Sequence, residues 1–108
     1  MNKENKSLIE ALIACAIECE RCATSCLLEE DVKMMVKCIQ LDRDCADVCL
    51  LTAKLLSRDS EHGMHLLKEC AEVCNKCATE CEKHKHMEHC AKCAEACKKC
   101  AEQCAQLV

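Results

Sequence analysis

The apolar positions of this chain recur every three or four residues, and the positions between them are mostly charged or polar. The first run begins near Leu8 and the last ends near Leu107. Residues three and four apart lie on one face of an α-helix, so this period predicts a series of amphipathic helices. The predicted helices cover residues 7–28, 31–56, 61–82 and 87–106.

Polar residues separate the predicted helices and suggest where they begin. Ser7 is the predicted cap of the first helix, and Asp59 or Ser60 that of the third, because short polar side chains accept hydrogen bonds from free N–H groups. The three connections are short, which favours antiparallel neighbours. We therefore expect one all-α domain over residues 1–108, folded as an antiparallel up-down-up-down four-helix bundle.

The two halves of the chain repeat one pattern at a distance of 55 residues. The segment CAIECERCATSC, from Cys15 to Cys26, shares all its cysteines with CAEVCNKCATEC, from Cys70 to Cys81. Self-similarity of this kind indicates repetition of one supersecondary unit. The bundle is therefore predicted to be built from a duplicated helix hairpin.

The composition leaves few large side chains to fill the interior of the predicted bundle. The chain has 16 cysteines, one glycine and no proline, phenylalanine, tyrosine or tryptophan. The inward stripes consist mainly of cysteine and alanine, so either the bundle is thin or something besides side chains occupies its core. Without aromatic residues or a basic patch, the usual modes of nucleic-acid binding are excluded.

Charge and hydropathy bear on the location of the protein. The formal net charge is −4, with acids and bases interleaved on the faces opposite the cysteines. Glu10 interrupts the first apolar stretch and no cleavage site of small residues follows it, so we expect neither a signal peptide nor a membrane span. We expect a cytoplasmic protein, in which many cysteines indicate metal or redox chemistry rather than disulfides.

The cysteines form a stripe on each predicted helix and are the candidate metal ligands. Cysteine fills space poorly, which argues against a purely structural core. A disulfide within one helix is excluded, because Cβ atoms at i and i+4 lie about 5 to 6 Å apart and a disulfide needs about 3.5 to 4.5 Å. Iron–sulfur clusters usually take their ligands from looped segments, for which this chain has almost no glycine or proline. The predicted ligands are Cys15, Cys19, Cys22, Cys26, Cys38, Cys45, Cys49, Cys70, Cys74, Cys77, Cys81, Cys90, Cys93, Cys97, Cys100 and Cys104.

Zinc and copper(I) are the metals that prefer thiolate ligands in such numbers. Zinc takes four ligands in a tetrahedron, so these cysteines would hold about four ions, and every four-thiolate site would leave negative charge in the core. Copper(I) accepts two or three thiolates and allows bridging sulfurs, so about one ion per cysteine brings the core near neutrality. We therefore predict a store of multiple copper(I) ions, and not an enzyme.

The two ends of the bundle are predicted to differ. Beyond the cysteines, the end that holds both termini carries an apolar plug of Leu8, Leu12, Leu56, Leu67 and Leu107. The other end carries the candidate entrance ligands His84, His86, His89, Met34, Met35 and Met87. Imidazole and thioether groups would pass copper(I) inward to thiolates that bind it more strongly, so this end is the predicted entrance.

Methionine and histidine also have ordinary structural uses. Methionine often fills gaps in a core, and this alternative stays open for Met34 and Met35, although Met35 corresponds by the repeat to Cys90. His62 and His65 lie at the plugged end and are predicted surface residues.

Asp42 faces the thiol core by its helical register and corresponds by the repeat to Cys97. Two interpretations remain open at this point. The carboxylate can contact metal directly or orient a neighbouring ligand, or it can form a salt bridge, for example with Arg43 or a nearby lysine.

The complete pattern resembles that of the cytosolic bacterial copper storage proteins, which are four-helix bundles lined by cysteines. The resemblance runs from about Leu8 to the C-terminus. It depends on the CxxxC and CxxC spacings, on LDRDCADVC from Leu41 to Cys49, and on HKHMEHC from His84 to Cys90.

The resemblance implies reversible storage of many copper(I) ions, assembly as a homotetramer, and loading through the histidine-rich end. It would place Cys90, His84, His86 and His89 near the entrance. The exported branch of the family carries a twin-arginine signal that is not visible here, so the cytosolic branch is the better match. Asp42 and Met35 break the cysteine pattern, so the copper capacity is not carried over.

Two other functions remain as alternatives. A thiol–disulfide redox protein needs one accessible cysteine of low pKa with a resolving partner. A zinc or cadmium buffer would bind fewer ions and would not need amphipathic helices. The expected partners are copper ions, with a copper metallochaperone or a small-thiol copper complex as the carrier.

Overall fold

The computed structural model describes residues 3–107, and the side chains from residue 5 onward. The helices are α1 (Lys3–Leu27), α2 (Val36–Ser57), α3 (Gly63–Glu82) and α4 (Glu88–Ala105), with a 3-10 turn at Val32–Met35 before α2. The described residues contain no strand. The prediction of an all-α bundle of four helices is confirmed.

The first helix begins earlier than its predicted start at residue 7. It includes Lys3 to Lys6, and Ser7 therefore lies inside the helix as an exposed residue. The prediction that Ser7 is the helix cap is wrong. The residues before it are lysine, glutamate and asparagine, and none of them is a glycine or proline that would stop the helix. At its other end the helix stops at Leu27, one residue before the predicted limit.

The connection between α2 and α3 also differs from the prediction at its caps. Asp59 has a φ of 51°, and the N–H groups of Asp59 and Ser60 donate to the carbonyl oxygens of Leu56 and Leu55. This pair of bonds is the Schellman arrangement, so Asp59 terminates α2 instead of capping α3.

The third helix starts at Gly63 rather than near residue 61, without a side-chain cap. The hydroxyl of Ser60 accepts the His62 N–H at 3.2 Å, but it lies outside the helix. A Cβ at Gly63 would lie 3.0 Å from Cδ2 of Leu56, so the glycine allows α3 to approach the end of α2 closely.

Each helix packs against two neighbours: α1 against α2 and α4, and α3 against α2 and α4. The diagonal pairs α1–α3 and α2–α4 do not touch at the level of their backbones. This is the predicted up-down-up-down arrangement. The Cα trace measures 44 × 17 × 17 Å, so the bundle is thin, as the shortage of large core side chains required.

Small residues keep the helices of each hairpin close together. Ala23 and Ala46 are buried between α1 and α2, and Ala78 and Ala101 occupy the corresponding positions between α3 and α4. The predicted apolar plug is present at the end with the termini, where Leu8, Leu12, Leu56 and Leu67 are buried and Leu107 is half-buried. None of the described helices has a stretch long and apolar enough to cross a membrane.

Candidate metal centre

The sixteen cysteines form a column of buried thiols along the interior of the bundle. All are free thiols, and each has a relative exposure of 0%. The recorded Sγ–Sγ contacts range from 3.6 Å, as between Cys49 and Cys70, to 4.0 Å, as between Cys45 and Cys97. The cysteines of each helix point inward together because their spacing of three and four residues keeps them on one face of the helix.

Thiols from all four helices meet in the centre of the column. Cys97 of α4 lies 3.7 Å from Cys15 and 3.6 Å from Cys19, both on α1. Its 4.0 Å contact with Cys45 links α4 to α2 across the diagonal of the bundle. The thin cross-section is the reason, since short side chains can bridge opposite helices only when the backbones are close.

The thiols group into sets whose ligand atoms all lie within 4.8 Å of one another. A metal–sulfur bond of about 2.3 Å lets one ion bridge sulfurs about twice that distance apart. The sets that contain only cysteine include Cys15, Cys49, Cys74 and Cys100; Cys15, Cys19, Cys45 and Cys97; and Cys19, Cys77, Cys93 and Cys97. Adjacent sets share members, so the column can hold a chain of ions joined by bridging thiolates.

Burial favours the protonated form of two outer thiols, Cys26 and Cys90. Burial, followed by repulsion from a charged Cys38, raises the pKa of Cys90 to about 12. The pKa of Cys26 is raised by the same two causes in the same order. A metal ion that binds these sulfurs must therefore replace protons, and its positive charge takes over the role of neutralising the core.

Asp42 is fully buried in the thiol column, as its register predicted. Its Oδ1 accepts hydrogen bonds from Cys77 at 3.2 Å, from Cys93 at 3.3 Å and from Cys81 at 3.5 Å. Burial is the largest cause that raises the pKa of this carboxyl group, to about 11. Asp42 also forms a set of potential metal ligands with Cys22, Cys38 and Cys81.

The side chain of Asp42 therefore contacts sulfur and not the neighbouring Arg43, which is exposed. The salt-bridge interpretation has no counterpart among the ion pairs recorded for the described residues. A direct contact with metal stays a prediction, which the position of the carboxylate supports.

His89 is the histidine that reaches the thiol column at the predicted entrance. Its Nδ1 lies 3.5 Å from Sγ of both Cys22 and Cys90, and these residues form a set with Cys26. On the other side of the ring, Nε2 lies 2.9 Å from a carboxylate oxygen of Glu29. A carboxylate behind an imidazole is the arrangement that orients histidine ligands in metal sites.

The other predicted entrance residues are less closely grouped. His84 is buried, with Nε2 3.3 Å from Oε2 of Glu80. Met35 is buried beside the core and Met87 is half-buried against it, whereas His86 and Met34 are exposed. The structure thus brings His89 to the sulfur atoms but leaves His86 and Met34 in solvent.

Surface positions at the opposite end agree with the sequence interpretation. His62 and His65 are both exposed, with ring centroids 6.4 Å apart. Met64 between them is exposed as well. Beneath these residues the leucines form the plug described above, so the exposed histidines and Met64 at this end are separated from the sulfur column by apolar side chains.

Sequence reasoning missed two carboxylates and one hydroxyl. Glu29 lies between the first two predicted helices, and its pairing with His89 joins segments that no local pattern connects. Glu80 had a signal, since it precedes His84 by one helical turn. Thr52 continues the inward stripe beyond Cys49 and donates its hydroxyl to the Val48 carbonyl at 2.7 Å.

Comparisons with known proteins match this site and fold. A family model described as copper storage protein matches residues 1–108. An uncharacterized cysteine-rich protein of Bacillus subtilis (strain 168) is 43% identical over 90 residues, 83% of this chain and 82% of that protein.

Solved structures agree with the family match. The Cu(I)-bound copper storage protein BsCsp3 is 42% identical with a TM-score of 0.91, covering 96% of this chain and 97% of its own. A cytosolic copper storage protein from Streptomyces lividans, described with five coppers, is 43% identical with a TM-score of 0.93, covering 97% of this chain and 92% of its own. The resemblance inferred from the sequence is thus confirmed, and the chain belongs to the copper storage protein family.

Proposed function

We propose that this protein stores and sequesters multiple copper(I) ions in the cytoplasm, bound by the thiolates of the sixteen core cysteines. The observation that carries the proposal is the column of sixteen buried thiols, in which two groups with sulfur contacts of 3.6 to 4.0 Å meet at Asp42. The copper carried by BsCsp3 and by the Streptomyces lividans protein supports the same cargo for this chain.

Charge balance favours copper(I) over zinc as the cargo. Deprotonating sixteen thiols in a dry core creates a large negative charge, and burying uncompensated charge is costly. About four divalent ions would neutralise only half of this charge. About one copper(I) per thiolate neutralises it fully, and the shared members of adjacent sulfur sets suit bridging thiolates.

The end that carries His89 is the proposed entrance. The half-buried side chain of His89 contacts the thiols of Cys22 and Cys90, and Glu29 orients the imidazole ring. Met35, Met87, His84 and His86 surround the same end and offer weaker ligands on the way inward. The buried leucines at the opposite end provide no ligand and close that end.

Assembly as a homotetramer is part of the proposal, following the family resemblance. Exposed apolar residues on α1 and α2 support contacts between copies of the chain. Ile13, Ile17 and Leu50 are all more than two fifths exposed. By helical register they lie on the outward side of this hairpin, as expected of a surface that another subunit covers.

The protein is proposed to have no catalytic turnover. A thiol–disulfide redox protein needs an accessible thiol, and here all sixteen are buried to the same extent.

A copper metallochaperone or a small-thiol complex of copper(I) is the proposed carrier that loads and unloads the store.

Counting thiols tests this proposal against its alternatives. Reduced protein is treated without oxygen with a thiol-modifying reagent, either free of metal or after exposure to excess copper(I). Storage predicts that copper shields nearly all sixteen thiols from the reagent. Shielding of a single pair would indicate redox chemistry, and stronger shielding by zinc than by copper(I) would indicate a zinc buffer; either result contradicts the proposal.

A further inference from the structure

A groove between α1 and α4 has one cysteine of the sulfur column in its lining. Its volume is about 500 Å³, and Ala11, Ala14 and Ala96 form its wall. Cys15 is part of the lining although the residue has no exposure to bulk solvent. The bundle wall is therefore thin beside Cys15, which is one of the proposed copper ligands.

The internal duplication shows that the groove is a departure from the repeated pattern. At a distance of 55 residues, Ala11 corresponds to Leu66 and Ala96 corresponds to Leu41. Both leucines are half-buried at the equivalent seam between α2 and α3. The depression on that seam is lined by Leu41 and Thr79 among others, but by no cysteine. One seam thus carries large side chains and has no cysteine in its depression, whereas the other carries small side chains and has Cys15 in its lining.

Cys15 contacts thiols of two other helices, Cys45 of α2 and Cys97 of α4. It belongs to two of the four-sulfur sets, one with Cys45 and Cys97 and the other with Cys49 and Cys100. A copper ion that reaches Cys15 can therefore pass in either direction along the column by exchanging bridging sulfurs. An ion that enters beside His89 must instead travel along the column to reach the same place.

The rim of the groove indicates what kind of molecule it can hold. Glu10, Glu18 and Glu95 lie on the rim together with Lys92 and Lys99. Charges of both signs around a cavity of small-molecule size fit a ligand that carries carboxylate and ammonium groups. A second copy of the chain is a poorer fit, because the exposed Ile13, Ile17 and Leu50 lie on another side of the bundle.

The groove also continues toward the histidine end. The next depression along the same seam is lined by His89 and shares Glu18 and Lys92 with the groove. A carrier that slides along this seam would meet both His89 and Cys15.

We infer that the α1–α4 groove is a lateral docking site for a small zwitterionic thiol that carries copper(I), and that copper is exchanged there with Cys15. This inference depends on the proposed storage of copper(I). In the loading direction, the bond between copper and the carrier sulfur breaks as the bond to Sγ of Cys15 forms. The proton of Cys15 passes to the released carrier thiolate, and copper stays in the same oxidation state.

The test fills the groove with the leucines found on the other seam. The double variant Ala11→Leu/Ala96→Leu is compared with Thr79→Leu, which adds the same side chain to the seam without a cysteine. Full-length reduced protein is mixed anaerobically with the copper(I) complex of glutathione, and the growth of copper–thiolate absorbance is followed. We expect the double variant to load about tenfold more slowly, with unchanged final capacity, and Thr79→Leu to load at the wild-type rate.

Equal loading rates for the double variant and the wild type would overturn the inference. Lys99→Glu tests the groove without filling it, because it reverses one rim charge at an exposed site. It should raise the half-saturating concentration of the glutathione complex by about twofold to fivefold, and leave uptake from a copper(I)–acetonitrile complex unchanged; an unchanged half-saturating concentration contradicts the inference. Failure of the storage proposal itself would look different, since the wild-type protein would then bind few ions from any copper(I) source.

Discussion

Oδ1 of Asp42 lies 3.2 Å from Sγ of Cys77, so a carboxyl group is held inside a column of thiols. The same oxygen accepts from Cys81 and Cys93, which places one acceptor among donors from α3 and α4. Asp42 itself belongs to α2. This one side chain therefore connects three helices through hydrogen bonds to sulfur.

The raised pKa of Asp42 predicts a pH-dependent stability of the metal-free protein. The unfolded chain releases this proton near pH 3.8, whereas the folded protein keeps it up to about pH 11. As pH rises from 4, the unfolded state is therefore increasingly favoured. Asp42→Asn removes this effect and should increase the free energy of unfolding at pH 7 by roughly 4 kcal/mol, with little change at pH 4.

Thermal melts of the reduced apo-protein at pH 4 and pH 7 provide the measurement. Asp44→Asn is the matched control, because Asp44 is an exposed residue of the same helix. A melting temperature at pH 7 that is equal or lower for Asp42→Asn than for the wild type would contradict the assignment of a buried, protonated carboxyl group.

Removal of one central thiol should lower the copper capacity. Cys45 contacts Cys49, Cys74 and Cys97 within 4.0 Å, so Cys45→Ala interrupts the column. We expect saturation about one or two copper ions lower than in the wild type. Copper analysis after desalting gives the capacity.

The control for this variant lies in the apolar plug. Leu12→Ala should cost about 2 to 4 kcal/mol of stability, because it leaves a cavity. This substitution removes no thiol, so the copper content of the variant should equal that of the wild type. If both variants lose the same amount of copper, the loss reflects instability and not missing ligands.

Substitution of His89 should change the rate of loading and not the final content. His89→Ala removes the imidazole that contacts Cys22 and Cys90, so uptake of free copper(I) should slow about fivefold. Stopped-flow mixing without oxygen measures this rate. His65→Ala, at the plugged end, should load like the wild type, and a slower rate for this control would refute the assignment of the entrance.

A charge on the exposed apolar face should disrupt the proposed tetramer. Ile17→Glu places a carboxylate in that face, where burial against another subunit would leave it without a partner. Sedimentation velocity should then show smaller species than for the wild type. Met64→Glu, equally exposed at the end of the bundle, is the control; a monomeric wild type would contradict the proposed assembly.

The helices and the inward direction of the thiols could be predicted from the sequence, because both follow from the spacing of three and four residues between apolar positions. The sequence also placed Asp42 in the core, since its register is that of Cys38 and Cys45. The start of α1 was missed for a physical reason. Ser7 can serve as a cap, but nothing in Lys3 to Lys6 prevents the helix from continuing past it.

Contacts between distant segments were beyond sequence reasoning. Glu29 and His89 are 60 residues apart and meet only because α1 and α4 are neighbours. The three hydrogen bonds to Oδ1 of Asp42 likewise depend on how closely the helices approach. The small side chains that line the α1–α4 groove could be found in the sequence, since the repeat pairs Ala11 with Leu66. The groove itself depends on how α1 packs against α4, which the sequence does not show.

Copper capacity tests the central claim most directly. Fully reduced apo-protein is titrated with copper(I) without oxygen until free copper first appears, as reported by a competing chelator. Neutralisation of the thiolate core predicts saturation at about one copper ion for each of the sixteen cysteines. Saturation at about four ions per chain, the number expected for tetrahedral four-thiolate sites, would contradict it.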